Sequence, residues 1–404
     1  MNWKEWAGER NLEILASGRW RQVRDFDPTG VEGLIEGRPV VSFASNDYLG
    51  LTSHPGAVAA ALAATRRWGT GSGSARLIVG SRPVHSELER EIADWKNTER
   101  ALLFPTGFAA NLGTLTALGD GGTLICSDEL NHASIVDGCR TADARVAVYP
   151  HADPGAVDRL LRDAGRAIVV TDAVFSMDGD LAPLEELAAV CGRHGALLVV
   201  DEAHSVLGPA PDLSAAEVLR VGTLSKFLGA MGGFVAGPAP LIDLLVNTAR
   251  SFIFTTAASP ADTGAALAAL RILRSDEGAA LINRLRNNID LVRRGHPSPI
   301  VPIVMGREDA AVTASAELLE RGFLVPAIRP PSVPRGSSRL RVTLSAAHSP
   351  EQVGALVEAL GNVLSEADLE RPLEISKRTA SAGRLGETQK TSAGRLGETQ
   401  KTNG

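Results

Sequence analysis

The sequence predicts an α/β protein, with a mostly parallel sheet covered by helices on both faces and a smaller α+β unit behind it. Three observations carry that prediction. Short apolar runs bounded by Gly or Asp recur as ALLF (101–104), GTLICS (122–127), ARVAVY (144–149), AIVVTD (167–172) and ALLVVD (196–201). Runs that are apolar throughout suit strands buried on both faces. Helix-length stretches separate them, such as 183–194, with Leu184, Leu187, Ala188 and Val190 on one side. The composition is also globular: 44% hydrophobic and 22% charged over 404 residues, enough for a sizeable core and two or three domains.

Taken in order, 3–15 reads as a short amphipathic helix and 42–51 (SFASNDYLGL) as a strand passing into a loop. Residues 55–67 are Ala-rich behind a proline start, a helix signature. The strand–helix alternation then runs from residue 100. Beyond Pro260 come helices at 261–274 and 277–294, a strand at 298–305, a helix at 310–322, a strand at 339–344 and a helix at 350–364. The expected domains are therefore an N-terminal helix and small-domain segment (1–45), a large domain (46–260), a C-terminal small domain (261–366) and a tail (367–404). In the tail, SAGRLGETQKT at 381–391 repeats unchanged at 392–402. Each copy offers one Leu, too little to bury a helix face, so the tail is read as disordered.

Composition narrows the function classes. Aromatic residues are only 4%, so Ala, Val, Leu and Ile must fill the core. The net charge of -6 leaves no electrostatic footprint for nucleic acid. Cys126, Cys139 and Cys191 are scattered, without a CxxC pair, which argues for small core residues rather than disulfides or a metal site. The first 24 residues lack an apolar h-region, and no run approaches about 18 apolar residues. A cytoplasmic protein with no membrane partner is expected.

The chemistry concentrates in 199–233. VVDEAH puts Asp201 at the end of a buried strand, with His204 three residues on. GTLSKFLGAMGG then places Thr223, Ser225 and Lys226 in a Gly-flanked loop. A lysine can form a Schiff base with an aldehyde cofactor. Pyridoxal phosphate (PLP) needs an anionic partner for its pyridinium nitrogen, and hydroxyls and backbone N–H groups bind its phosphate. Singly, these residues would be a cap, a core histidine and a surface lysine. Their combined spacing points to PLP. The stretch GTGSGSARLIVG (69–80) follows a helix rather than a strand, so it fails as a dinucleotide loop. It reads instead as a loop of small residues near a subunit interface.

Beyond these residues, the sequence resembles the PLP enzymes of the aspartate-aminotransferase fold (fold type I), and among them the α-oxoamine synthases. The resemblance rests on SFASNDYLGL (42–51), GSGSARLIVGSRPVHSELE (71–89), FPTGFAANLG (104–113), DELNHASIVDGCR (128–140), TDAVFSMDGD (171–180), VVDEAH, TLSKFLGAMGG, SFIFTTAASP (251–260) and RPPSVPRGSSRLRVTLSAAH (329–348). It covers the chain to about residue 366.

It implies a large domain with a mostly parallel seven-stranded sheet, a smaller α+β C-terminal domain, and a homodimer with shared active sites. Lys226 would be the Schiff-base lysine, Asp201 the pyridine-nitrogen partner, His204 a hydrogen-bond partner of the cofactor's phenolic oxygen, and His132 a ring stacked on its face. Gly107, Phe108 and Thr223 would bind the phosphate, with Thr256 reaching it from the neighbouring subunit and Ser176 beside the ring. Arg341 would pair with the substrate carboxylate, a task suited to a planar bidentate donor, and Ser332, Asn46 and Arg21 would contact substrate. Two local alternatives stay open: His132 as a helix cap, and Arg339, two residues earlier on the same strand face, as the carboxylate partner. The implied reaction is a decarboxylative condensation of an amino acid with an acyl thioester. The C-terminal block and FTTAASP point to L-alanine and a pimeloyl thioester, carried on CoA or an acyl-carrier protein. Glycine-using members of the family, or a non-catalytic partner subunit, are the alternatives. One departure stands out: after the DEAH histidine the family usually has a Gly-rich run with a GRG element, and the shorter HSVLGPAPDLSAAEVLRVGTL lacks it.

Overall fold

The computed structural model describes residues 2–364; the tail and its repeat lie outside the described residues. Seven strands form the large sheet, in the order Arg100–Phe104, Gly233–Gly237, Glu217–Thr223, Leu197–Asp201, Arg166–Asp172, Thr123–Asp128 and Arg145–Tyr149. Gly233–Gly237 runs antiparallel to both of its neighbours and the other pairings are parallel. The expected mostly parallel seven-stranded sheet is therefore present.

Both faces of this sheet are buried, and period two sorts each strand between them. In Arg166–Asp172, Ile168 and Val170 join one apolar cluster, while Ala167 and Val169 join the opposite one. Helices Gly107–Leu118, Ala133–Thr141 and Ala239–Thr248 cover the first face; Pro154–Leu161 and Leu184–His194 cover the second. A third cluster ties the sheet's Arg100–Phe104 end to the C-terminal unit through Leu103, Phe234, Leu270, Leu285 and Leu340.

The C-terminal residues build a three-stranded sheet in the order Ile300–Gly306, Ser338–Thr343 and Ala327–Ile328, packed with helices Asp276–Val292, Glu308–Glu320 and Pro350–Val363. The N-terminal strands Phe26–Thr29, Glu32–Ile35 and Arg38–Ser42 form a separate sheet, which Phe323–Leu324 joins in parallel at its far edge. Helix Trp3–Ala16 departs from the amphipathic reading, because none of its residues is buried by the rest of the chain. Cys126, Cys139 and Cys191 are all buried and unpaired, as core residues should be.

Candidate active site

Parallel strands that end together bring their last residues to one edge, and α/β sheets carry their ligands there. Asp172 and Asp201 are the final residues of adjacent strands and face each other in register. Both are buried. Asp201 is gripped on two sides: Asn111 Nδ2 donates to Oδ2 at 2.6 Å and the Ala203 N–H donates to Oδ1 at 2.9 Å. Asn111 lies one helical turn after Gly107, so helix Gly107–Leu118 supplies this support. Burial, with the neighbouring Asp201 charge adding to it, pushes the Asp172 carboxyl well above its ordinary value. Asp172 also accepts the His132 backbone N–H at 2.8 Å.

Lys226 follows strand Glu217–Thr223 and returns its side chain to this edge. Its Nζ lies 2.7 Å from His204 Nε2. Burial lowers the Lys226 pKa, partly offset by the Asp201 and Asp172 charges. His204 is driven well below the usual imidazole value, first by burial and then by the Lys226 and Arg341 charges. Its other nitrogen, Nδ1, sits 2.5 Å from the hydroxyl of the fully buried Tyr48.

Beside Thr223, helix Gly107–Leu118 presents its first turn. Thr106 caps it by accepting the Ala109 N–H at 2.9 Å, leaving the Gly107 and Phe108 N–H groups without partners inside the helix. A Cβ at Gly107 would lie 3.1 Å from Thr223 Cβ. The glycine thus lets an N-terminus with anion affinity come up against the Thr223 hydroxyl, which lies 2.7 Å from Ser225 Oγ. His132 is the N-cap of helix Ala133–Thr141, its Nδ1 accepting the Ser134 N–H at 3.2 Å; the residue as a whole is exposed, while partial burial of its imidazole lowers the pKa. The capping alternative is thus realised without closing off the ring.

Arg341 reaches the cluster from the C-terminal unit. It donates from Nε to the Ser176 carbonyl at 2.6 Å, from Nη1 to Thr343 Oγ1 at 3.1 Å and from Nη2 to Asn46 Oδ1 at 3.2 Å. The Tyr48 hydroxyl is a further side-chain partner of this guanidinium, so most of the five donors an arginine carries are engaged. Arg339, on the same strand face, is engaged with Asp178 and with the Met177 carbonyl at 3.1 Å. Both arginines therefore grip the turn at 176–178.

The remaining expected residues lie elsewhere. Ser332 is exposed, and its N–H turns back to the Arg329 carbonyl at 3.1 Å. Arg21 is exposed on a shallow surface hollow beside Trp20 and Glu36. Thr256 is exposed in a segment packed against Ser74, Arg76 and His85. Among the described residues, no contact joins any of these three to the Lys226 cluster. Tyr48, Asn111 and Asp172 belong to the cluster but were not singled out in the sequence. The equal endings of AIVVTD and ALLVVD could have flagged Asp172, and the four-residue step from Gly107 could have flagged Asn111.

The segment after His204 runs to the next strand without regular structure. The connection from Leu197–Asp201 to Glu217–Thr223 is a parallel crossover without a helix, whereas such crossovers usually carry one. A cavity of about 1190 Å³ opens beneath it, lined by Leu207, Pro209, Pro211, Trp95 and Leu184 among others. Glu202 is buried at its edge, paired with Lys96 at 2.6 Å and with Arg220. Lys226 and Asp201 do not line this cavity.

Comparison with known proteins agrees with this geometry. The profile of the family "Aminotransferase class I and II" matches residues 38–360. The 8-amino-7-oxononanoate synthase of Geobacter sulfurreducens is 45% identical over 383 residues, covering 89% of this chain and 98% of the relative. That of Alkalilimnicola ehrlichii is 50% identical over 379 residues, covering 87% and 95%. The chain belongs to the class I and II aminotransferases, on their 8-amino-7-oxononanoate synthase branch.

Solved structures of the family superimpose closely. A serine palmitoyltransferase from Sphingomonas wittichii has a TM-score of 0.79 at 32% identity, covering 89% of this chain and 97% of its own. The 8-amino-7-oxononanoate synthase of Francisella tularensis has a TM-score of 0.68 at 26% identity, covering 80% and 96%. A high-resolution SPT structure with a TM-score of 0.81, at 29% identity and covering 88% of this chain and 96% of its own, holds PLP. PLP is the cofactor of this family, and the residues here suit it. A buried carboxylate, a lysine of lowered basicity and a helix N-terminus facing a hydroxyl pair form a donor set for a cationic ring nitrogen, an aldehyde and a phosphate. The buried Asn111 Oδ1 has no partner of its own.

Proposed function

We propose that this chain condenses L-alanine with a pimeloyl thioester, on CoA or an acyl-carrier protein, to give 8-amino-7-oxononanoate, the free carrier thiol and CO2, a step of biotin biosynthesis. The observation that carries the reading is the meeting of Lys226, His204 and Asp201 at one sheet edge, 2.7 Å between the first two, in a chain up to 50% identical to synthases of that name.

In this reading Asp201 would pair with the cofactor's ring nitrogen and Lys226 would hold its aldehyde carbon. His204 would face the phenolic oxygen, His132 would stack on the cofactor ring and Ser176 would stand beside it. The Gly107 and Phe108 N–H groups and the Thr223 hydroxyl bind the phosphate. When bound, PLP supplies an electron sink for the charge left at the amino acid's Cα. Arg341 would orient the amino-acid carboxylate through its guanidinium, and Asn46 stands beside it. Lys226 would serve as the base for the Cα proton, a role that the lowering of its pKa by burial favours. Ser332 and Arg21 are proposed to meet the acyl donor rather than the amino acid, since neither reaches Arg341 in the ligand-free chain.

A homodimer with shared sites completes the reading. Its support is the exposure of Leu77 (51%), Ile78 (73%), Val79 (70%) and Phe254 (71%), an apolar set of the kind a subunit interface covers. Thr256 follows two residues after Phe254 and would serve the second copy's site. A cytoplasmic location fits three buried cysteines without a disulfide. No helix among the described residues is long and apolar enough to cross a membrane.

The test starts with colour. The full chain mixed with PLP should gain a visible absorption band, and Lys226→Ala should lack it. L-alanine, glycine and L-serine are then offered with pimeloyl-CoA, and thiol release is followed. A colourless wild type would sink the enzyme reading, and a preference for glycine would sink the alanine assignment.

A further inference from the structure

We infer that Tyr48 is a positioning residue: with Asn46 it fixes His204 as the Nδ1–H tautomer, so that Nε2 is an acceptor facing Lys226. Donors and acceptors can be traced through one chain of buried and half-buried contacts. Arg341 has only donors. The Asn46 atom 3.2 Å from its Nη2 is therefore the amide oxygen, which can only accept. The Tyr48 hydroxyl lies 3.1 Å from that same oxygen, and only its own proton can bridge the two. With its proton spent there, the hydroxyl oxygen acts as an acceptor toward His204 Nδ1, 2.5 Å away. A neutral imidazole carries one N–H, so Nδ1 holds it and Nε2 keeps a lone pair. The atom 2.7 Å from that lone pair is Lys226 Nζ, which donates to it.

Burial keeps the tyrosine in role, raising its phenol above the ordinary range so that it retains its proton. Burial likewise keeps His204 neutral.

The order matters for the amine. A neutral Lys226 that donates one N–H to His204 keeps its own lone pair free, the electron pair that must attack a carbonyl carbon or accept a proton. In the opposite tautomer, Nε2–H would point at that lone pair and occupy it. Arg341 stands at the far end of the chain, so its hold on Asn46 is what sets the direction. This use of the proton order rests on the function proposed above; the order itself belongs to the ligand-free chain.

The experiment reads the tautomer directly. The full-length, cofactor-free protein is labelled with [15N]histidine, and His204 is assigned by loss of its signals in His204→Asn. Wild type should show a protonated Nδ1 and an unprotonated Nε2. Tyr48→Phe should move the proton to Nε2. Should Tyr48→Phe fail to fold, Asn46→Ala serves the same end: it frees the tyrosine proton to bond Nδ1, and the histidine proton again moves to Nε2. A wild-type His204 protonated at Nε2, or a folded variant that retains the Nδ1 proton, overturns the proposal. After loading with PLP, Tyr48→Phe should lower kcat by about tenfold or more while the amino-acid KM stays within about twofold; an unchanged kcat also counts against it. The NMR arms need no cofactor. A chain that fails to take up PLP would thus sink the proposed function and leave the proton order to be judged on the tautomer alone.

Discussion

Replacing His151 by leucine should destabilise the protein in a pH-dependent way, although His151 touches none of the Lys226 cluster. Its imidazole is 3% exposed and bridges two carboxylates, Asp128 at 3.1 Å through Nδ1 and Asp180 at 2.7 Å through Nε2. The ring also meets Phe175 edge-on at 4.3 Å. Hydrogen bonds and charge from both acids outweigh burial and raise the His151 pKa to about 10. Leucine would leave two largely buried carboxylates without their cation, and removing one partner of a buried pair costs about 3–5 kcal/mol. With roughly 2.1 cal/mol/K of unfolding entropy per residue, a chain of this size loses about 4–7 °C of melting temperature for that cost.

The sign with pH follows from the raised value. His151 binds its proton more tightly folded than unfolded, so its contribution is whole below the unfolded imidazole pKa of about 6.5. It is lost as pH rises through about 10. Thermal melts of wild type and His151→Leu should therefore differ most near about pH 6 and converge above about pH 10. A gap that stays constant across that range, or none at about pH 6, would refute the reasoning.

Two further predictions concern the site. Arg341→Lys removes the planar fork; losing one charge-assisted hydrogen bond of about 1.5–3 kcal/mol should raise the amino-acid KM roughly 10- to 100-fold. A larger rise in Arg339→Lys, measured in the same steady-state assay, would move the carboxylate site to Arg339. Gly233→Ala would put a Cβ 2.4 Å from the Thr106 carbonyl oxygen and 2.5 Å from the Gly107 nitrogen, both backbone atoms. The N-terminus of helix Gly107–Leu118 must then shift, at a cost of about 1–3 kcal/mol, and PLP affinity in a spectral titration should fall roughly tenfold or more. Unchanged affinity would remove that helix from the phosphate site.

The strands that could be read in the sequence are those buried on both faces, because their apolar runs end abruptly on Asp or Gly. Gly233–Gly237 escaped that reading: GFVAG is short, begins and ends in glycine, and pairs antiparallel with strands distant in sequence, Gly233 lying opposite both Phe104 and Thr223. Helix Trp3–Ala16 was readable as a helix but not by what covers it, since a burial partner leaves no mark on local periodicity. In the site, Lys226, His204 and Asp201 were legible because their spacing within one segment is itself unusual. Tyr48 and Asn111 were not, because their significance comes from partners 156 and 90 residues away. Ordinary loop and helix positions acquire a role only when the sheet closes.

The turn at residues 175–180 carries a constraint on how such a protein can change over generations. Gly179 has φ +69, and a Cβ there would lie 2.0 Å from the Ile300 carbonyl oxygen. Ser298 donates to the Gly179 carbonyl at 2.7 Å, and Arg339 and Arg341 grip the residues just before it. The arginine proposed to face the substrate and the contacts that seat one unit against the other thus share six residues of chain. Selection for a new amino acid and selection for firmer packing of the two units act on the same small piece of backbone. A lineage that alters one inherits a change in the other, and new specificity is easier to reach from the acyl-donor side, where no such shared anchor exists among the described contacts.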